Sequence, residues 1–344
     1  MRFRLFCLLL LILIALITLL FSKNNIIKRS SKEIHELKNY KKSCEKGVLL
    51  SKNKFKRIQN PKISIISAVY NRGKYIKRFL RSIQNQLFNE IEIIFIDDFS
   101  TDNSVQIIEK FQKEDERIKL IKHNKNKGTL ISRNDGILKS KGEYLIFPDP
   151  DDILSNDILK YCYNESHRNN YDIIRFNIYN RNKYDLLNLV KILQFQKVYQ
   201  PQLSFHIFYS KGYLEQTDYS ISNKFIKRNL LIKTINSINK YYLLQNMIVY
   251  EDGLINYMLY KCGNSLYHSK KIAYYYIQNK QSITKNFKKN IERNLKDCYL
   301  YLKFIFEYTK NNYFEKNIAS LIYKNVHLEI SNISFKNNSC HILR

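Results

Sequence analysis

Short apolar runs alternate with helix-like spacings of apolar residues through the central part of the chain. The runs are rich in β-branched residues and are bounded by polar residues, which is typical of buried strands. Four such strands are predicted, at Ile63–Val69, Ile91–Ile96, Ile118–Ile121 and Tyr144–Phe147.

Between these strands, apolar residues recur every three or four positions, as on one face of a helix. The first predicted helix carries Ile76, Phe79, Leu80, Ile83 and Leu87. Val105, Ile108 and Phe111 mark the second, and residues 129–139 form the third. Strands that alternate with helices predict an α/β, doubly wound, mainly parallel sheet with helices on both faces. Ligands of such sheets bind beyond the carboxyl ends of the strands.

Acidic residues are concentrated just after the fourth predicted strand. The two prolines there favour an extended backbone, in which Asp149 and Asp151 project the same way. Their charges repel unless a proton or a metal ion compensates them, and Mg²⁺ or Mn²⁺ suits carboxylates of this kind. The alternative is a solvated loop in which Asp152 or Ser155 caps the following helix.

Polar residues also follow the first two strands, so Asn71 and Asp98 are expected at the same edge of the sheet as the acidic loop. A carboxylate at the position of Asp98 can accept hydrogen bonds from a nucleotide, whereas Asp102 is better placed to cap the next helix. Arg133 can donate to phosphate oxygens, although a lone arginine is more often a surface residue.

The first residues suggest a membrane anchor. Leu5–Phe21 contains no charged residue, is flanked by basic residues and would span about 25 Å as a helix. No small-x-small cleavage pattern comes after it, so an uncleaved signal anchor over residues 1–22 is preferred to a cleaved signal peptide. Residues 23–60 are polar and predict a stem or linker with one short helix near Ile34–Tyr40.

The chain is strongly basic, with 58 Lys and Arg against 30 Asp and Glu and a formal net charge of +28. Such a field favours anionic partners. The basic residues are spread along the sequence and no nucleic-acid recognition motif is present, so a nucleic-acid binder is not expected. The six cysteines form no CxxC or Cys/His cluster, which argues against zinc.

From Pro61 onward the sequence closely resembles glycosyltransferase family 2, the inverting, nucleotide-sugar-dependent enzymes with a GT-A (Rossmann-like) fold. Four elements carry the resemblance in order: Ile63–Asn71, Ile96–Asp102, Lys127-Gly128-Thr129 with Ser132-Arg133-Asn134, and Asp149-Pro150-Asp151-Asp152. The last matches the family's DxD motif.

The resemblance implies a role for each matched residue. Asp98 would contact the base with support from Asp97, and the first Asp of the DxD element, Asp149, would approach the ribose. Asp151 and Asp152 would reach the metal, Mn²⁺ or Mg²⁺, and the diphosphate. The remaining nucleotide-binding residues implied by the match are Ala68, Tyr70, Asn71 and Arg133. Ala68 stands where many members carry Pro.

Weaker similarity continues beyond these motifs. Ile221–Leu230 resembles a segment ahead of the acceptor site, and Tyr274–Ile277 resembles the tail of capsule- and lipopolysaccharide-type members. Tyr250–Leu254 is similar to the Glu-Asp element, whose Asp, here Asp252, serves as catalytic base. An inverting transfer needs one such carboxylate. A helix cap is the alternative role of Asp252, and Asp218 is the reserve candidate for the base.

The expected protein is a membrane-anchored transferase with a nucleotide-sugar donor, expected to be a UDP-sugar, and a glycan or lipid-linked acceptor. A catalytically inactive carbohydrate- or partner-binding protein on the same fold is the alternative. In a eukaryotic cell the catalytic domain would be lumenal, in the endoplasmic reticulum or Golgi. The predicted parts are the anchor (1–22), stem (23–60), nucleotide-sugar-binding half (61–180), acceptor-binding half (181–290) and helical C-terminal extension (291–344).

Overall fold

The computed structural model describes residues 31–49, 55–180, 198–199, 220–277 and 291–309. Within these residues one mixed sheet is flanked by helices. Its strands are β1 (Ile63–Val69), β2 (Ile91–Asp97), β3 (Ile118–Lys122), β4 (Tyr144–Ile146), β5 (Ile153–Leu154), β6 (Ile173–Asn180), β7 (Val198–Tyr199), β8 (Lys224–Lys227) and β9 (Leu266–Tyr276). The helices are α1 (31–45), α2 (Gly73–Gln84), α3 (Ser104–Glu114), α4 (Thr129–Lys139), α5 (Ile158–Asn169), α6 (Arg228–Asn236), α7 (Lys240–Leu243), α8 (Glu251–Cys262) and α9 (Ile291–Tyr308).

The first half of the sheet confirms the predicted parallel arrangement. Strands β3, β2, β1 and β4 lie side by side in that order, and every neighbouring pair is parallel. The register pairs Val69 of β1 with Asp97 of β2, so these two strands end together. Because all four strands point the same way, the loops at their carboxyl ends meet at one edge of the sheet.

The second half of the sheet corrects the prediction of a mainly parallel sheet. Strand β8 is antiparallel to both β4 and β6, and β9 is parallel to β6 but antiparallel to β5 and β7. Antiparallel neighbours need no helical crossover between them, so the regular alternation of strands and helices ends after β4. The whole sheet is therefore mixed.

Apolar residues on the strands supply two cores, one on each face of the sheet. Ile65 and Phe95 pack on one face with α2, α3 and α5, whereas Ile66 and Ile96 pack on the other with α4, α6, α8 and α9. All seven residues of β2 are buried, as expected for a strand covered on both faces. The helices predicted on both faces are thus confirmed. Helix α2 ends at Gln84, so Leu87, predicted on its buried face, lies beyond it and is 58% exposed.

Part of the predicted stem is packed against this body. Leu37 and Cys44 of α1 are buried in a small cluster with Tyr179 and Ile272, and the Tyr40 hydroxyl donates to the carbonyl of Ser82. The short helix predicted near Ile34–Tyr40 is therefore present, but residues 31–49 belong to the folded body and are not a free linker.

The two ends of the chain are described only in part. The segment predicted as a membrane anchor, residues 1–22, lies outside the described residues, and none of the described helices contains an apolar stretch of membrane-spanning length. Helix α9 begins the predicted helical extension, and residues 310–344 lie outside the described ranges.

The close approach of α4 to the sheet depends on Gly136. A Cβ atom at this position would lie 2.4 Å from Ile66 Cγ2 and 2.8 Å from Ile96 Cδ1, closer than packed carbon atoms allow. We expect Gly136→Ala to lower the free energy of unfolding by about 1–3 kcal/mol, because the added methyl group overpacks the core. Urea unfolding measures the change. Leu138→Ala on the same helix removes a side chain that is 57% exposed and should have little effect. Equal stability of the two variants would contradict this account of the packing.

Candidate active site

The loops after β1 and β2 are held together by Asn71. Its side-chain oxygen accepts hydrogen bonds from the backbone N–H groups of Thr101, at 2.8 Å, and Asp102, at 3.3 Å. Its own N–H donates to the hydroxyl of Ser100 at 3.0 Å. Asn71 has a φ of 53°, a left-handed conformation that Asn tolerates better than most residues. The contacts of Asn71, a predicted nucleotide-binding residue, therefore hold together the two loops at this edge of the sheet.

Asp98 fixes the loop that leads into α4. Its carboxylate accepts from the N–H groups of Lys127 and Gly128, both at 2.8 Å, and lies 2.9 Å from His123 Nδ1. The other ring nitrogen of His123 lies 3.0 Å from Asp135 Oδ2. A carboxylate offers about four lone-pair sites, and three are occupied here. Asp98 can thus accept one further hydrogen bond from a ligand, but its main contacts are structural.

The residues around Asp98 have different environments. Asp97 accepts from the N–H of Ser100 at 3.1 Å, and its Oδ1 atom is buried without a hydrogen-bond partner in the described part of the chain. Asp102 accepts from the N–H groups of Gly73 and Ser104, both at 2.9 Å, which agrees with the structural role predicted for it.

Tyr70 is the predicted ligand residue whose ring is accessible at this edge. It is 45% exposed, while Ala68 beside it is half-buried near the end of β1. Phe99, between the strand-end aspartates and Ser100, is 51% exposed and has a φ of 68°. For a bulky side chain this left-handed conformation is an outlier, and such outliers cluster at binding sites.

The acidic loop, residues 149–152 after β4, lies beside the end of β1. The Ser67 hydroxyl donates to the carbonyl of Pro148 at 2.9 Å, and the N–H of Asp149 donates to the Tyr274 hydroxyl oxygen at 3.0 Å. The Asp151 carboxylate lies 3.7 Å from Arg72 Nε. Strand β1 and the loop after it therefore bring the nucleotide-binding and acidic motifs together.

Asp152 is turned inward, away from this edge. It is 1% exposed, and its Oδ1 atom accepts from the N–H of Ile277 at 2.7 Å, just beyond β9. Burial, together with the charges of Asp151 and Asp149, raises its pKa well above the ordinary value. This placement favours a structural role for Asp152, as an anchor for the end of β9, over the predicted metal ligation.

The acidic loop fits a divalent cation only in a limited way. Burial raises the pKa of Asp149 to about 6, and the Asp151 and Asp252 charges add to this effect, so these carboxylates lie close enough to repel one another. Within the described ranges no three acidic, His or Cys side chains are arranged around one metal position. Asp151 therefore fits Mg²⁺ or Mn²⁺ as a single protein ligand, with the remaining ligands taken from substrate phosphates and water.

Arg133 connects the acidic loop to α8. Its guanidinium donates to Asp149 Oδ1 at 3.1 Å and to Glu251 Oε1 at 3.4 Å, and it also forms a short ion pair with Asp252. Burial alone would lower the pKa of Arg133, but the charges of these three carboxylates raise it above the ordinary value. Residues far apart in sequence are thereby joined at one partly buried cation.

Asp252 is the second residue of α8 and does not cap it. Tyr250 occupies the cap position, with a φ of 63°, and no side chain caps the helix start. The Asp252 Oδ2 atom instead accepts from the N–H of Ile221 at 3.0 Å, which lies in a different segment. The alternative role of Asp252 as a helix cap is therefore not supported by the contacts.

Two site residues were missed by the sequence interpretation. Burial is the largest cause that raises the pKa of Glu251 to about 8, and the charge of Asp252 is the second. Its place beside Asp252 at the start of a helix was the available signal. Tyr274 contacts the acidic loop through its hydroxyl, but an apolar-looking run of tyrosines gives no indication of such a contact. Asp218, the reserve base, lies outside the described residues.

Helix α9 holds the loop that leads into the Glu251–Asp252 pair. The Asp297 carboxylate is buried and accepts from the N–H groups of Ile248, at 2.9 Å, and Val249, at 3.2 Å. The rings of Tyr301 and Tyr250 are stacked, with centroids 5.5 Å apart. A Cβ atom on Gly253 would lie 3.1 Å from the Tyr301 ring, so glycine permits this close contact.

Comparisons with known proteins identify the family of the chain. The family model described as Glycosyl transferase family 2 matches residues 64–235. The chain is 36% identical over 124 residues to glycosyltransferase GlyG of Streptococcus pneumoniae serotype 4, which is 36% of this chain and 41% of GlyG. It is 30% identical over 197 residues to the cholesterol galactosyltransferase of Borreliella burgdorferi, which is 56% of this chain and 53% of that protein. The chain thus spans about half or less of these relatives' lengths.

A solved structure shows the same fold. The crystal structure of S. aureus TarS residues 1–349 in complex with UDP-GlcNAc superposes with a TM-score of 0.62, covering 82% of this chain and 76% of that one at 20% sequence identity. The chain therefore belongs to glycosyltransferase family 2 and has a GT-A-like fold.

Proposed function

We propose that this glycosyltransferase moves a sugar from a nucleotide-diphosphate donor to a hydroxyl group of a glycan or lipid-linked acceptor, with inversion, and that Asp252 is the general base. The observation that carries the proposal is the Arg133 contact set. It brings Asp149, from the acidic loop, and Asp252, from the start of α8, to one guanidinium. A donor-binding carboxylate and a candidate base therefore share the same crevice.

The donor would lie across the carboxyl ends of β1, β2 and β4. Tyr70 offers an accessible ring for stacking on the base, and Asp98 offers its remaining lone pair to a base N–H. A divalent cation, Mn²⁺ or Mg²⁺, would be held by Asp151 and the diphosphate and would neutralise charge on the departing nucleoside diphosphate. All three residues lie at the edge where open α/β sheets bind ligands.

In the proposed reaction, the Asp252 carboxylate takes the proton of the acceptor hydroxyl. The acceptor oxygen then bonds to the anomeric carbon from the face opposite the diphosphate, whose bond to that carbon breaks. Arg133 forms an ion pair with Asp252. A guanidinium binds phosphate oxygens at least as well as carboxylates, so the donor diphosphate would compete for Arg133 and free the carboxylate for proton transfer.

Two of the similar proteins support the choice of substrates. TarS was crystallised with UDP-GlcNAc, and the Borreliella relative is named for transfer of galactose to cholesterol. We therefore propose a UDP-sugar donor and an acceptor at or near a membrane. The predicted anchor over residues 1–22 would keep the enzyme on that membrane, in a single-pass arrangement.

The first prediction concerns the base. We expect Asp252→Asn to lower turnover by roughly 10²–10⁴-fold, because the amide cannot accept the acceptor's proton. A screen of nucleotide sugars with Mn²⁺ by thermal shift identifies the donor, since a ligand of the native state raises its melting temperature. Release of nucleoside diphosphate from that donor then measures turnover. The variant should keep the donor-induced thermal shift.

The control for this prediction is Glu90→Gln, which removes one negative charge from an exposed side chain. It should leave turnover unchanged. Full activity of Asp252→Asn would exclude Asp252 as the base. If no nucleotide sugar stabilises the wild-type protein, the proposed donor class is wrong.

The second prediction concerns Glu251 and pH. Its pKa is raised from 4.5 to about 8 in the folded state, so the folded protein holds this proton more tightly than the unfolded chain. Stability from this group is complete below about pH 4.5 and is lost as the pH rises to about 8. We expect Glu251→Gln to reduce the loss of stability over this interval, measured by urea unfolding at a series of pH values. Parallel pH profiles for variant and wild type would contradict the raised pKa.

The third prediction concerns the support from α9. Asp297→Ala leaves two N–H groups of the loop before α8 without their acceptor, which costs about 1–3 kcal/mol of stability. Because that loop leads directly into Asp252, turnover should fall at saturating donor while the donor KM stays near the wild-type value. Asp297→Asn retains an acceptor oxygen and should recover much of the activity.

A matched control for Asp297 lies at the other end of the same helix. Glu307 accepts from the Tyr242 hydroxyl and has no contact with the loop before α8 among the described residues. Glu307→Gln should lower stability without lowering kcat in the folded protein. If both variants lower kcat equally, α9 contributes general stability and does not position the base.

A further inference from the structure

Helices α7 and α9 present large apolar side chains to solvent. On α9, Tyr299 is 67% exposed and Phe306 is 47% exposed. Tyr241 of α7 is 46% exposed, and Leu244 directly after that helix is 61% exposed. Half-exposed aromatic residues are usually scattered singly over a surface, whereas several in one place mark an interaction site. We call these four residues and the lysines between them the α7–α9 face.

The contacts show that the α7–α9 face is continuous. Lys303 comes four positions after Tyr299 and three before Phe306, so all three lie on one side of α9. The Lys303 ammonium lies 5.2 Å from the ring centroid of Tyr241, which joins α9 to α7. Beneath this layer the rings of Tyr242 and Phe304 pack 5.1 Å apart in the core. The helices are therefore anchored from the inside and present their outer sides together.

The charges on the α7–α9 face are mainly positive. Lys240, Lys296 and Lys303 are exposed among the aromatic residues. Of the acidic residues on α9, Glu292 is exposed in its first turn and Glu307 accepts a hydrogen bond from the Tyr242 hydroxyl. Exposed lysines beside Tyr, Phe and Leu can contact both the lipid phosphates and the apolar edge of an anionic bilayer.

We infer that the α7–α9 face rests on the surface of an anionic lipid bilayer. The rings of Tyr299, Phe306 and Tyr241 would enter the headgroup region, where amphipathic aromatic side chains are favoured. The lysine ammonium groups would meet the lipid phosphates, whose negative charge attracts them.

The α7–α9 face lies on the outer side of the helix that supports the candidate base. The inner side of α9 holds the loop before α8 through Asp297, and Tyr301 stacks on Tyr250 next to the Glu251–Asp252 pair. A helix with its side chains is about 10 Å thick, so the outer side of α9 and the base lie on either side of one helix layer. This orientation rests on the proposed function, whereas bilayer contact by the face does not.

The absence of tryptophan makes a direct test possible. The chain contains no Trp, so Tyr299→Trp in the full-length protein gives a single reporter on the α7–α9 face. We expect its fluorescence to shift to the blue with vesicles of phosphatidylglycerol and phosphatidylcholine, and to be quenched by brominated lipids. Vesicles of phosphatidylcholine alone should give a smaller shift. Because only the reporter is observed, binding through the predicted anchor does not by itself produce the signal.

Two matched controls carry the reporter elsewhere. Leu87→Trp and Leu138→Trp replace side chains that are 58% and 57% exposed outside this face, and neither should shift. Replacing both Lys296 and Lys303 with Glu in the Tyr299→Trp protein should abolish the shift, because the reversed charges are repelled by the lipid phosphates. Circular dichroism confirms that each variant is folded.

Three results would overturn the inference. The first is unchanged Tyr299→Trp emission with anionic vesicles, and the second is an equal shift in the control proteins. The third is emission that is already blue-shifted without lipid, which would show that another part of the chain or a second copy covers the face. Release of nucleoside diphosphate from a soluble donor is measured separately, so failure of the proposed function and failure of this inference give different results.

Discussion

The candidate active site depends on one partly buried cation, the guanidinium of Arg133. It contacts the carboxyl groups of Asp149, Glu251 and Asp252, which come from the loop after β4 and the start of α8. Acidic groups drawn together in a partly dry site repel and take up protons, as the raised pKa values of Asp149 and Glu251 show. Without the guanidinium, repulsion between the carboxylates would drive these two segments apart. The ion pairs therefore contribute more to the shape of the site than to net stability, because desolvation offsets much of their attraction.

The packing around Arg133 makes this arrangement possible. Helix α4, which carries it, lies unusually close to the sheet because Gly136 leaves room for Ile66 and Ile96. The loop before α4 is tied to β2 through Asp98, which accepts from two backbone N–H groups there. On the opposite side, α8 is held by α9 through the contacts of Asp297 and Tyr301. Both partners of the central ion pairs are thus fixed by well-packed elements, which is the condition for a site with defined geometry.

The sequence predicts the first half of the fold well because that half is repetitive. Strands β1 to β4 are local apolar runs, and the parallel rule then places Asn71, Asp98 and Asp149 at one edge. The antiparallel pairing of β8 with β4, and of β9 with β5, cannot be predicted from the sequence in the same way, because the paired strands lie far apart in the chain. The inward turn of Asp152 depends on β9 as well. An acidic motif specifies that charge is present, but tertiary contacts decide which carboxylate remains available to a ligand.

The charge balance of the crevice also bears on how a donor can bind. Although the chain has a formal net charge of +28, the arginines at this edge are already engaged. Arg133 faces three carboxylates, Arg72 faces Asp151, and Arg78 donates to the Asp151 carbonyl at 2.7 Å.

A nucleoside diphosphate entering here would bring further negative charge to cations that already have carboxylate or carbonyl partners. Either a divalent cation must enter with it or the arginines must exchange their carboxylate partners for phosphate, and the two events reinforce each other. In the proposed reaction, a cation on Asp151 would release Arg72, and the diphosphate would attract Arg133 away from Asp252. The Asp252 carboxylate would then accept the proton of the acceptor once the donor is in place.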